Sequence, residues 1–296
     1  MKDVRFEFLE SITTSNDIIY PSRRTSIWQS IMQDKSAVFA GIILLILIII
    51  SNLAFLFPYD PNEMSIQEKL LPPSTKHWFG TDDYGRDYFT RILNGGQISL
   101  TVGFVAMVIS IIMGVIVGTI SGYIGGKVDS LLMRFLDVFM ALPSFFLILI
   151  LSAFFKLGII NIILIIGLLS WMDVARIVRA ETLTLKNREY VLYSHATGEK
   201  TWKIILKHIV PGIVPSVIVA SAINIANAIM TESALSFLGL GIQQPDASWG
   251  SMLYSAQGFI GQASYLSVIP GLLILIVILA FNVLGNSLQR VMEHKE

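Results

Sequence analysis

The chain contains no cysteine, which excludes a disulfide framework and any thiolate-based metal or redox centre. Charge is scarce as well. Only 14% of the 296 residues are Asp, Glu, Lys or Arg, against about 25% in an ordinary soluble domain. The four histidines, His77, His195, His208 and His294, stand in no metal-ligand spacing. No G-x-x-x-x-G-K-[ST] run occurs. The nearest approach, Gly125-Gly126-Lys127, lacks the first glycine and the hydroxyl, so nucleotide binding through a phosphate loop is excluded. No Ser/His/Asp cluster, metal set or pair of intramembrane carboxylates argues for an enzyme. Residues 37–171 and 209–288 show no duplication of the kind expected of a stand-alone carrier built from inverted repeats.

What fills the chain instead is apolar sequence, 54% of the residues. The expected fold class is all-α: a polytopic membrane protein with six transmembrane helices. Charge-free or nearly charge-free runs at 37–57, 98–120, 135–155, 159–171, 211–235 and 267–284 supply the spans. Pro58 ends the first, and Pro143 is expected to kink the third. Residues 1–36 are polar and long, which suits an uncleaved anchor rather than a signal peptide. Residues 58–97 form a hydrophilic loop, 127–134 a short polar turn, Lys156-Leu157-Gly158 a tight connection and 289–296 a tail. Residues 98–288 make the core, interrupted by a loop at 173–210. The glycine-rich, Lys- and Arg-free segment 236–266 suits a re-entrant or surface-hugging piece. With the N-terminus inside, the outer segments hold five of the 21 Lys and Arg (Lys69, Lys76, Arg86, Arg91, Lys156) and the inner segments hold the rest. The positive-inside rule therefore predicts both termini on the cytoplasmic side.

Three features point to function. The first is the basic interruption at 187–211. It is too charged to span, yet Val191, Leu192, Trp202, Ile204, Ile205 and Ile209 recur at near-helical spacing. Gly198 divides it, and Glu199 suits the first turn of a following helix. Helix, glycine corner, helix, on the cytoplasmic surface, is the expectation. A flat helix in the lipid headgroups is the alternative to a protein partner. The second is the polar fifth span, with Asn224, Asn227, Thr231 and Glu232. Polar groups at membrane depth face protein or a water-filled cavity, so this helix is expected to line a translocation route. Glu232 fits the route and the far interface equally. The third is a small-residue stripe, with Gly114, Gly118 and Gly122 at every fourth position, which lets another helix approach closely, in this chain or in a partner. The acidic cluster Asp82, Asp83 and Asp87 encloses Arg86 and lacks calcium-loop spacing; a turn held by ion pairs is expected there. Asp137 is expected to pair with Arg134 one turn earlier.

These stretches resemble known signatures. Aligned on Gly198, the 187–211 segment is similar to the EAA loop of ABC-importer permeases (E-A-A, three residues, Gly, nine residues, I-x-L-P). Pro211 matches. Leu192, Tyr193 and Ser194 replace E-A-A, His208 replaces Ile, and Val210 replaces Leu. FGTDDYGRD (79–87), FLGLGIQQPDASWGSM (237–252) and AFNVLG (280–285) resemble signatures of the dipeptide/oligopeptide/nickel permeases, "C" type subunit. The resemblance covers roughly residues 28–292. It implies the type I ABC-importer permease fold in a prokaryotic inner or plasma membrane. It also implies a homologous "B" type permease as partner, two cytoplasmic ATP-binding subunits and an extracytoplasmic substrate-binding protein, with membrane lipid around them and no nucleic acid. ATP and Mg would be bound by the ATPase subunits, with no cofactor in this chain. A coupling helix at about 189–200 would insert into one ATPase, bringing forward Glu189, Tyr190, Leu192, Tyr193, Ser194, His195, Ala196, Gly198, Glu199 and Lys200. Peptide is the default cargo. Nickel or a metal chelate on the same architecture is the alternative, and a stand-alone carrier is a further one.

Overall fold

The computed structural model describes residues 31–155 and 158–293. Residues 1–30 of the polar N-terminal segment, the Lys156-Leu157 connection, His294 and Lys295 lie outside the described residues.

Helix α1 (Lys35–Asn52) starts where Asp34 accepts the backbone N–H groups of Ser36 and Ala37, at 3.0 and 3.4 Å. A carboxylate there satisfies donors that the first turn leaves orphaned. The helix stops at Asn52 and a 3-10 turn at Ala54–Leu56 follows, so the apolar run to Phe57 is not helical throughout. Helix α2 (Tyr88–Ile124) is 37 residues long, about 55 Å at 1.5 Å per residue. It exceeds a hydrocarbon core of about 30 Å. It begins ten residues before the predicted start of the second span at 98, because Asp87 caps it through Thr90 N–H at 2.8 Å.

After Gly125, α3 (Gly126–Met140) and α4 (Ser144–Phe154) follow. The expected polar turn at 127–134 is thus helical. Pro143 does more than kink the third span: α3 and α4 meet at 77°. Helix α5 (Ile159–Leu185) carries the fourth span 14 residues past its expected end at Trp171. Two of the charges that suggested a loop are paired within the protein. Arg179 grips Asp129 at 2.5 and 2.6 Å, and Arg176 pairs with Asp137. The predicted Arg134–Asp137 pair is replaced by this contact, since packing of α3 on α5 brings Arg176 within reach.

Helix α6 (Glu189–Ala196) is short. Helix α7 (Thr201–Phe237) runs through a π turn at Ile205–Ile209, so the fifth span begins ten residues before Pro211. Helix α8 (Trp249–Ala256) lies between α7 and α9 (Tyr265–Glu293). The expected tail is helical as far as Glu293. Among the described residues, five helices are long and apolar enough to cross a membrane, and the bent α3–α4 pair, taken as one span, brings the number to six.

The main helix pair is α2 against α5. The small-residue stripe forms this seam, so its neighbour belongs to the same chain. A Cβ at Gly114 would lie 2.5 Å from Val174 Cγ1, at Gly118 2.6 Å from the Ala175 carbonyl and at Gly122 2.8 Å from Thr182 Cβ. Close backbone approach of this kind replaces the hydrophobic drive that lipid cannot supply. At the cytoplasmic end Lys186 donates to the Gly122 carbonyl at 3.1 Å, satisfying an orphan acceptor of α2. Arg290 of α9 reaches Asp34 at 2.9 Å and Ser287 does so at 2.7 Å. The start of the first span and the end of the last therefore share one side of the membrane.

Candidate functional site

The 187–211 stretch folds as helix, glycine corner, helix. Its corner is a complete helix stop. Gly198 takes φ +78°, a region open to glycine at little cost. Its N–H donates to the His195 carbonyl at 3.1 Å, and the Glu199 N–H donates to the Ser194 carbonyl at 3.1 Å. This pair of bonds is the Schellman stop, with glycine at the left-handed position. Glu199 consequently falls in the corner and not in the first turn of α7, where Lys200 takes the N-cap position. Val191, Ile204 and Ile209 are buried in one cluster with Val174 and Val178 of α5, so the corner is anchored to the spans. Outward it shows Tyr190, Leu192, Tyr193 and Trp202. Tyr193 is 73% exposed and Trp202 57%. Glu189, His195 and Ala196 are exposed beside them. Ser194 and His208, two of the positions that depart from the EAA pattern, touch each other at 3.2 Å, and Glu199 lies 3.6 Å from His208.

The structure splits the four pathway candidates of α7 between two faces. Asn227 is exposed and Thr231 is partly exposed. They continue a stripe that starts at Ser216 and passes Ala220 and Ile223. Asn224 instead faces inward and donates to Ser110 Oγ of α2 at 3.2 Å. Glu232 is 0% exposed, so it lines no open route and does not lie at the lipid interface. Its carboxylate accepts from Ser236 Oγ at 2.7 Å and from Ser99 Oγ at 3.2 Å, with Ser233 Oγ at 3.4 Å. A buried carboxylate needs such donors, because desolvation otherwise costs several kcal/mol. The serines in turn fix α8. Ser99 Oγ accepts the Trp249 N–H at 3.2 Å, and Ser236 Oγ lies 3.3 Å from Ser248 Oγ. Gly239, at φ +79°, closes α7 with the same stop as Gly198, and a Cβ on Gly250 would collide with the Ser233 backbone at 2.5 Å. The FLGLG…WG signature thus builds the seat of α8.

Sequence reasoning missed Glu181 of α5. It accepts a hydrogen bond from Ser216 Oγ at 2.8 Å, beside a cavity of about 310 Å³ between α5, α7 and α9. The signal was present only as a lone acid among bases, and the helical face it occupies appears once α5 is extended past Trp171.

The outer cap is built on FGTDDYGRD. Asp82 receives the Tyr84 and Arg86 N–H groups at 2.9 and 3.0 Å and the Arg86 guanidinium at 2.6 Å. Asp87 holds His77 Nδ1 at 2.8 Å as well as capping α2. The expected ion-paired turn is present. Tyr265 Oη of α9 donates to the Leu71 and Thr81 carbonyls at 2.8 and 2.9 Å, fastening the cap to the last span. Burial, with the charge of Asp82 next to it, pushes the Asp83 carboxyl above the ordinary range.

Two family models match. One, "Binding-protein-dependent transport system inner membrane component", covers residues 110–296, and "N-terminal TM domain of oligopeptide transport permease C" covers 22–73. The chain is 40% identical over 270 residues to a dipeptide transport system permease protein, DppC, of Bacillus subtilis, spanning 90% of this chain and 84% of that one. It is 38% identical over 279 residues to an oligopeptide transport system permease protein, OppC, of Escherichia coli K12, spanning 92% of each. Among solved structures, an inward-facing form of the MetNI methionine ABC transporter matches with a TM-score of 0.57 at 18% identity, over 69% of this chain and 97% of that one. At that identity the likeness concerns the fold.

Proposed function

The chain belongs to the family of binding-protein-dependent transport system inner membrane components, the multi-pass permeases of ABC importers. On that footing we propose that it takes up di- or oligopeptides as half of a translocation pore. One observation carries the cargo: relatives 38–40% identical over most of both chains are named for dipeptide or oligopeptide transport. A permease of this kind is not itself an enzyme. It works with a homologous second permease, two ATP-binding subunits that hold ATP and Mg, and an extracytoplasmic binding protein.

In this proposal α6 and the Gly198 corner are the coupling element. Tyr190, Leu192 and Tyr193 seat in the ATPase, while Val191 and Ile204 transmit its movement into α5 and α7. Large aromatic and aliphatic side chains held rigidly on the surface are what a buried anchor of an interface requires. Asn227 and Thr231 then face the route. Asn224 and Glu232 serve it indirectly, by holding α7 against α2 and α8.

The test is reconstitution. The chain, its second permease and the ATPases are placed in proteoliposomes with ATP inside and the binding protein outside. Uptake of labelled dipeptide or tetrapeptide that stops without ATP is the expected result. Uptake of Ni²⁺ in place of either peptide would move the cargo to the nickel branch. Uptake by this chain alone would overturn the coupled mechanism.

A further inference from the structure

We propose that the cavity between α5, α7 and α9 receives the ammonium group of the cargo on its way out to the cytoplasm, with Glu181 as the counter-charge; this rests on the peptide-importer reading. The geometry leads there in three steps. First, Thr231, Asn227, Ile223, Ala220 and Ser216 keep to one face of α7 by steps of three or four residues, with Asn227 exposed, Thr231, Ile223 and Ser216 partly exposed and Ala220 buried. It ends in this cavity, which Ser216, Ala220 and Ile223 help to line. Second, the cavity has the character of a ligand site. It holds about 310 Å³, at the lower end of the size range of small-molecule sites. Its walls include Ile177, Val219 and Met292, and polar groups are few.

Third, its charge is one-sided. Glu181 is the one ionisable side chain among the described residues lining it, and the polar residues beside it, Ser216 and Gln289, are neutral. The cations nearest in sequence, on α5 and at its C-cap, are engaged elsewhere: Arg176 with Asp137, Arg179 with Asp129 and Lys186 with the Gly122 carbonyl. A carboxylate within a spanning helix is costly unless it faces water or a cation. Every unmodified peptide carries an ammonium group, whatever its side chains. A single carboxylate above apolar walls therefore suits a cargo defined by its terminus and tolerant of its sequence.

The test uses the purified four-subunit assembly without nucleotide. Equilibrium dialysis measures binding of labelled dialanine and of N-acetyl-dialanine, which has lost the ammonium charge. The wild type should prefer dialanine. Glu181→Gln should weaken dialanine at least about tenfold, leave the acetylated peptide unchanged and retain the wild-type melting temperature. Glu181→Asp, which keeps the charge, should restore the preference. Equal loss for both peptides, or no change for either, would overturn the proposal. Wild-type uptake in proteoliposomes is measured alongside. An assembly that imports no peptide overturns the peptide reading and this proposal together, whereas normal import with an indifferent Glu181→Gln overturns this proposal alone.

Discussion

Arg86 and Tyr193 sit at opposite ends of the molecule and in opposite environments. Arg86, a charge, is 1% exposed inside the outer cap, and Tyr193, an aromatic ring, is 73% exposed on the cytoplasmic corner. The inversion runs through both regions. Outside, Asp82, Asp87 and His77 are also buried, and their partners are local or at the start of α2. Inside, Tyr190, Leu192 and Trp202 join Tyr193 at the surface, and Val191 with Ile204 anchors them from beneath. The cap spends its polar groups on its own shape. The corner holds its shape with a few apolar anchors and leaves its largest side chains uncovered. A region finished by its own chain differs physically from one that a second protein completes.

The sharpest way to break this contrast is to unpair the cap. Asp82→Ala leaves the Arg86 guanidinium buried without its carboxylate, which costs about 3–5 kcal/mol. The melting temperature of the purified protein in detergent should drop steeply, and Asp82→Ala combined with Arg86→Met should recover much of the loss. On the corner the reverse is expected. Leu192→Ala and Tyr193→Ala should keep stability within about 0.5 kcal/mol, yet each should lower ATP-driven uptake at least about tenfold, as loss of an interface anchor of 2 kcal/mol or more does. A fall in melting temperature to match Asp82→Ala would mean that these rings hold the fold, and the contrast would be gone.

Gly198→Asp is expected to be intermediate. The left-handed φ costs a side chain about 1–2 kcal/mol, while nothing lies within 4 Å of an added Cβ. Membrane insertion should therefore survive and transport be uncoupled, measured as uptake per ATP hydrolysed. Smallest of all is the rim of the cap, where Lys76 pairs with Glu68 in the open. The hydrogen bond from Lys76 holds the Glu68 carboxyl below its ordinary 4.5. A lowered folded-state value means the pair stabilises above that range and ceases to as pH falls through the lowered value. The small difference in melting temperature between wild type and Lys76→Ala near neutrality should vanish in strong acid.

The spans were legible because each is a long apolar run, and the Gly198 corner because glycine splits two apolar periodicities. What the sequence hid was settled by partners far along the chain. Asp173, Arg176 and Arg179 marked a loop by composition, but α3 supplies Asp129 and Asp137, and α5 runs on. Tyr88–Gln97 looked like loop because of its polar residues and Gly95-Gly96, but Thr90 is held by Asp87 and Arg91 by Pro61 and Asn62. Polarity alone suggested that Asn224, Asn227, Thr231 and Glu232 share a role. Their helical phase, and Ser99 from 133 residues away, separate Glu232 from Asn227. Glu181 stayed invisible for the related reason that its helix had been ended too early.

The contact of Asp34 with Ser287 and Arg290 has a consequence in time. A chain made from its N-terminus places α1 in the bilayer long before Arg290 exists. Until α9 follows, the face of α1 that will meet it can rest only on lipid, and the Asp34 carboxylate lacks its distant partners. The first of the described helices to be made is thus among the last to finish packing. A chain cut short before Ser287 would keep every described span in outline and lose this closure, which makes the contact a mark that α9 has been made and has docked on α1.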